Sequence, residues 1–199
     1  MSELDKREKI IAAAYNVLSV KGYDLASTKE IARTAGVAQG LINYYFPSKD
    51  LLFAEVFRRE TAKYCESFEF LKHLDNKPLT IETIKELLEE PKTRVISDPD
   101  WYTLRNELSA IGLRGGNTSE ILKEMLTTKR KFIGGIVEAV THLPQEQAST
   151  IASILYAVFE GLGLQKIADP EFNYDQAFDT LAVMLGAYLE AISPKKEES

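Results

Sequence analysis

A chain of 199 residues, 45% hydrophobic and 27% charged, has an ordinary globular composition and enough length to bury a core as one compact unit or two small ones. Its single cysteine, Cys65, excludes an internal disulfide and fits a reducing compartment, and with His73 and His142 it makes no zinc-site spacing. The net charge of −6 argues against a uniformly basic nucleic-acid binder, but the charge is unevenly divided: residues 1–60 balance to +1 and the remainder to −7.

In chain order, residues 5–21 read as an amphipathic helix with Ile10, Ala14, Val17 and Leu18 as its apolar stripe and Gly22 closing it. Tyr23 and Leu25 are expected to anchor the turn that follows. Residues 27–46 then read as two short helices. Ser27 and Glu30 make a capping box, Ile31, Ala32 and Ala35 share one face, and Gly36 ends the first helix where a left-handed backbone is needed. In the second helix, a step of about 100° per residue puts Gln39, Gly40, Asn43 and Tyr44 on one half and Ala38, Leu41, Ile42 and Tyr45 on the other. The first half is a hydrogen-bonding surface. A carboxamide can bond an adenine edge at two points, a hydroxyl suits a phosphate, and glycine permits close approach. This is the design of a helix-turn-helix whose second helix enters the major groove.

Beyond Pro47, Ser48 caps a helix that runs to about residue 68, with Lys49 in its first turn, where free backbone N–H groups and an ammonium can hold a phosphate. Residues 69–79 read as a loop, and residues 80–90 as a helix stopped by Pro91. Asp98 caps the next helix with Pro99 at its first position, and this helix ends near Arg114–Gly116. Asn117 and Glu120 open a helix to about Val140, whose Gly134–Gly135 pair costs about 1 kcal/mol per glycine and suggests close packing or a bend. Pro144 opens the following helix, Asn173 and Gln176 cap the last, and the tail from Ser193 is expected to be disordered. Strand-like alternation is absent, so the expected fold is all-α with about nine helices. No nucleophile elbow or phosphate-binding glycine loop appears, no apolar run approaches bilayer-spanning length, and the charged N-terminus lacks a signal-peptide core. The expectation is a cytoplasmic protein with no enzymatic activity, no cofactor and no membrane partner.

The register of Thr28, Ile31, Ala32, Ala35, Gly36, Val37, Gly40, Ile42, Tyr44, Tyr45, Phe46, Lys49 and Leu52 resembles the DNA-binding signature of the TetR family of transcriptional regulators, over roughly the first third of the chain. The resemblance implies a DNA-binding domain over 4–64, with its helix-turn-helix at 27–46, an effector-binding and dimerisation domain over 65–193, and a tail at 194–199. Thr28, Lys29, Ala38, Gln39, Gly40, Asn43, Tyr44, Tyr45 and Lys49 would meet double-stranded DNA at a near-palindromic operator.

Residues 145–168 are apolar almost all round, so they need cover on more than one side, and a second copy of the chain is the simplest cover. The resemblance implies that the last two helices pair with their counterparts in a four-helix bundle, and the expected interface is Leu155, Leu162, Phe178, Leu181, Leu185 and Tyr188. Trp101, Arg105, Phe132, Tyr156, Phe159 and Glu160 are the candidate lining for a largely apolar small-molecule effector. Glu160, the one charged side chain between Glu146 and Lys166, needs a partner: Arg105, a symmetry-related residue or a cationic ligand. The expected function is a ligand-responsive, homodimeric DNA-binding regulator, a repressor released by its effector. The alternative is a helical ligand-binding or scaffolding dimer without specific DNA binding.

Overall fold

The structure is a computed structural model that describes residues 3–66, 68 and 79–192. The expected loop, apart from its last residue, and the expected tail from Ser193 lie outside the described residues. Among those described there are nine helices and no strand: α1 (Glu3–Leu25), α2 (Thr28–Ala35), α3 (Gln39–Tyr45), α4 (Lys49–Glu66), α5 (Ile81–Ser97), α6 (Pro99–Gly112), α7 (Asn117–Thr141), α8 (Gln145–Ala168) and α9 (Tyr174–Ile192). The all-α expectation is met.

Several boundaries follow from the capping chemistry in the sequence. The hydroxyls of Ser27 and Ser48 accept from the backbone N–H of Glu30 and Leu51, and the carboxylate of Asp98 accepts from Trp101. Asn173 accepts from the N–H of Gln176 to open α9. Glu30, expected to complete a capping box, spends its carboxylate on the Lys21 ammonium at 2.7 Å, an ion pair that ties the end of α1 to α2.

Pro91 does not stop its helix. α5 continues to Ser97 with Pro91 buried inside it, where burial in the surrounding core holds the helix together despite the lost backbone bond. The Gly134–Gly135 pair does not end α7, which runs on to Thr141. A Cβ on Gly134 would sit 3.8 Å from Ala152, an ordinary contact, and one on Gly135 would meet nothing within 4 Å.

The chain divides into two compact units, residues 1–66 with 98–129, and residues 67–97 with 130–199. The expected functional boundary after residue 64 is not where the compact division falls. Trp101, Leu104 and Leu108 of α6 and Ile121, Leu122 and Met125 of α7 lie in the same buried cluster as Ile10, Leu18, Ile31, Ile42, Phe53 and Phe57. Burial of that apolar surface joins α6 and the start of α7 to the N-terminal helices. Within this unit α1 packs against α2, α4 and α6, and α2 against α3.

In the second unit α5 packs on α8 and α9, with Lys85 paired to Asp179 at 2.7 Å and Lys92 to Asp175 at 2.8 Å. The rings of Phe159 and Phe178 stack with centroids 6.0 Å apart. Leu155 and Phe178, expected at a dimer interface, are instead buried in this core, while Leu181, 9% exposed, lines the groove between α8 and α9. The helical step explains the correction: their neighbours Ile154 and Val183, with Leu164, Met184 and Tyr188, are the large apolar side chains left exposed on α8 and α9. Leu162 and Leu185 are half-buried.

α8 also corrects the expectation that no apolar run approaches bilayer-spanning length. By length and composition it is long and apolar enough to cross a membrane, with mean hydropathy 1.3 and a third of that stretch buried inside the chain. Helices that pack inside proteins meet the same description.

Candidate nucleic-acid interface

α2 and α3 are held by a few buried contacts that leave the rest of their surface free. Ile31 and Ala32 of α2 and Ile42 of α3 are buried, Phe46 closes the end of α3, and Gly36 makes the turn between the helices at φ 66°, ψ 36°. The N–H of Gly36 and of Val37 return to the carbonyls of Arg33 and Ala32, so the turn is closed by its own backbone.

The seven residues of α3 then divide as their spacing requires. Ile42 is 1% exposed and Leu41 and Tyr45 are half-buried against the core, whereas Gln39, Gly40, Asn43 and Tyr44 are exposed, Tyr44 at 70%. Tyr44 and Tyr45 meet edge to face at 5.1 Å. Ala38 is exposed as well, because it sits before the first turn of α3 in extended conformation and does not join the apolar half. A Cβ on Gly40 would meet nothing within 4 Å, so no neighbour inside the fold requires glycine there. On α2, Lys29 is exposed, and the half-buried Thr28 lies 3.5 Å from the Gln39 amide, hydroxyl to nitrogen. The exposed face of α3 thus offers two carboxamides and a phenol in one row.

Lys49 departs from its expected role. Its ammonium donates to the Tyr23 carbonyl and stands 4.5 Å from the centre of the Tyr23 ring. Desolvation lowers its pKa, against the pull of Asp24, Asp50 and Glu107. The lysine is used to hold the turn after α1. That turn has further ties. Gly22 breaks α1 at φ 73°, ψ 176°, a region open essentially to glycine alone. The N–H of Tyr23 donates to Glu107 of α6 at 2.9 Å, and the Tyr23 hydroxyl donates to Asp50. Burial first, then the Asp50 bond, pushes the phenol well above its usual range. Leu25, expected to anchor here, is exposed, and Ala26 is buried in its place. The sequence hid this cluster because Glu107 lies 84 residues from Tyr23.

The six candidate effector residues are divided between the two compact units. Trp101 and Arg105 lie in the first unit, both buried, Trp101 against Phe57 with centroids at 5.0 Å and the Arg105 guanidinium 4.0 Å from the centre of the Tyr102 ring. Phe132, Tyr156, Phe159 and Glu160 lie in the second unit. There Tyr156 and Phe159 are buried, Phe132 meets Phe68 at 5.5 Å, and Glu160 is half-buried.

The comparisons with known proteins bear on both parts of the chain. Residues 10–56 match the family described as bacterial regulatory proteins, tetR family. YdgC of Bacillus subtilis, an uncharacterized HTH-type transcriptional regulator, is 32% identical over 98 residues, 45% of this chain and 50% of that protein. The chain therefore spans about half the length of that relative. Among solved structures, a transcriptional regulator of Pseudomonas aeruginosa superposes with a TM-score of 0.73 at 21% identity, covering 96% of this chain and 93% of that one. The transcriptional regulator FadR of Bacillus subtilis, solved in complex with stearoyl-CoA, superposes with a TM-score of 0.67 at 18% identity, covering 92% and 96%. Residues 10–56 thus match the tetR family of bacterial regulatory proteins in sequence, and the chain as a whole is alike in fold to solved transcriptional regulators.

Proposed function

We propose that the protein is a homodimeric, sequence-specific DNA-binding transcriptional regulator, a repressor that acts in the cytoplasm and leaves a near-palindromic operator when a small, largely apolar effector binds. The observation that carries this reading is the outward row of Gln39, Asn43 and Tyr44 beside Gly40, on a helix anchored by Ile42. Carboxamides read adenine edges in the major groove, the phenol and Thr28 suit phosphate oxygens, and open space at Gly40 suits a close approach by the DNA backbone. Lys29 is an exposed cation on α2, next in sequence to Thr28. Lys49, at the start of α4, acts by holding the end of α1 at Tyr23, just past the break at Gly22.

The dimer rests on the exposed apolar side chains Ile154, Leu164, Val183, Met184 and Tyr188 of α8 and α9. The groove between these helices, lined by Val158, Leu162, Ala177 and Met184, would take helices of the partner. Two copies would present two recognition helices about 34 Å apart, one DNA turn. The small positive balance of residues 1–60 makes this doubling necessary for affinity. The apolar effector is supported by the aromatic side chains of the second unit and by the fatty-acyl ligand of the FadR structure.

Selection of bound sequences from random duplexes tests the reading. The expected result is a near-palindrome, with Gln39→Ala and Asn43→Ala each losing about 1–3 kcal/mol of discrimination at the base they read. Recovery of no preferred sequence, or unchanged discrimination in both variants, overturns it.

A further inference from the structure

One face of α4 and one face of α7, both in the first unit, enclose a cleft of about 240 Å³, the space of roughly eight waters. None of the six effector candidates lines it, although its Phe57 ring meets Trp101 at 5.0 Å. Phe57 and Cys65 of α4 and Ile121 and Met125 of α7 line its walls, and Ala54 and Ala62 leave the room that larger side chains would fill.

Three observations define what such a space accepts. First, charge is confined to the two side chains of one ion pair, Arg58 and Glu124, whose bidentate bonds of 2.7 and 2.8 Å cross between the helices. Each partner neutralises the other: the Arg58 bond holds the Glu124 carboxyl below its usual range, and the Glu124 bond holds the guanidinium above its own. Second, Thr61 is 4% exposed and its hydroxyl has no hydrogen-bond partner. Thr61 lines the cleft, and its freely rotating hydroxyl can donate to an acceptor placed there. Third, burial raises the pKa of the Cys65 thiol, which keeps it an uncharged part of the wall.

We propose that the α4–α7 cleft is a binding site for a small, uncharged, largely apolar molecule carrying one carbonyl oxygen, which accepts from the Thr61 hydroxyl. Apolar walls supply the affinity, and one buried donor sets the orientation. The proposal concerns the protein alone and does not depend on the DNA reading.

Two ketones, acetophenone and cyclohexanone, serve as probes, each against its carbonyl-free counterpart, ethylbenzene and methylcyclohexane. Binding is followed by the Met125 methyl resonance and by the rate at which a disulfide reagent modifies Cys65, the chain's one cysteine. A ketone is expected to shift the Met125 signal, to slow Cys65 modification, and to bind about three- to tenfold tighter than its hydrocarbon, the worth of one neutral hydrogen bond. Thr61→Val, close in shape, should bind ketone and hydrocarbon alike. Absence of any Met125 shift or Cys65 protection up to the solubility limit of both ketones overturns the site. An undiminished ketone preference in Thr61→Val overturns the assignment of the hydroxyl. Operator affinity is measured separately and bears only on the proposed function.

Discussion

Lys49 illustrates how far a residue's role depends on what the fold brings beside it. Register alone places it at a helix N-terminus next to the recognition helix, where a lysine suits a phosphate. The structure gives its ammonium to a carbonyl 26 residues away. A charge-assisted bond of that kind makes Lys49→Ala cost about 1–2 kcal/mol in thermal or denaturant unfolding. Lys29→Ala, at an exposed position, should stay within about 0.5 kcal/mol. If Lys29 meets phosphate as proposed, its loss weakens binding to all duplexes alike and lowers the salt-dependence slope by about one per subunit.

Two glycines behave in opposite ways. Gly22→Ala forces a side chain into a glycine-only backbone region, 2.8 Å from the Glu107 carboxylate, and should destabilise by about 1–3 kcal/mol. Gly135→Ala adds a methyl to open space in a continuous helix and should stabilise by up to about 1 kcal/mol in the same measurement. The sequence marked Gly22 as a helix end and the Gly134–Gly135 pair as a place of close packing or a bend. It could not tell strain from slack, because that depends on neighbours distant in the chain.

Among the elements, legibility followed the sharpness of the polar–apolar division. α3 has a clear division, and the side chains expected to face outward do so. α8 is apolar on nearly every side, so its sequence implied more than one covering surface but carried no phase to say which residues faced where. That is why Leu155 was expected outside while its neighbour Ile154 is the exposed one. The proposed dimer is accordingly tested at the exposed positions. Ile154→Asp with Met184→Asp should leave the chain folded and reduce the sedimenting species to the single-chain mass of 22.4 kDa. A monomeric starting protein, or an unaltered dimer, would count against the interface.

α5 failed the local rule for the opposite reason: a strong helix breaker, Pro91, is outweighed by its own burial. The Arg58–Glu124 tie between α4 and α7 has a pH signature of definite sign. The Glu124 carboxyl is held low in the folded chain, so its contribution is present above the unfolded value near 4.3 and fades as pH falls through the folded value. With both side chains about half exposed, the pair is worth less than about 1 kcal/mol. Glu124→Gln should show that small deficit in unfolding at neutral pH, and the deficit should close in acid.

At the scale of the whole molecule, the helix count and the N-terminal motif were legible because caps, turns and stripes are written locally. The division into compact units was not. α6 and the first half of α7 share a core with the helix-turn-helix, although they are distant in sequence, and only long-range apolar packing decides that.

The peptide around Tyr23 is held on both sides, its N–H by the Glu107 carboxylate of α6 and its carbonyl by the Lys49 ammonium of α4. Its amide proton is therefore a natural reporter on α6. As long as that helix stays seated against the end of α1, this proton should trade slowly with heavy water, even though it lies just past a break in the helix. Any event that draws Glu107 away bares it to solvent, and the Tyr23 resonance would fade from a deuterium-exchange spectrum before those of the surrounding core.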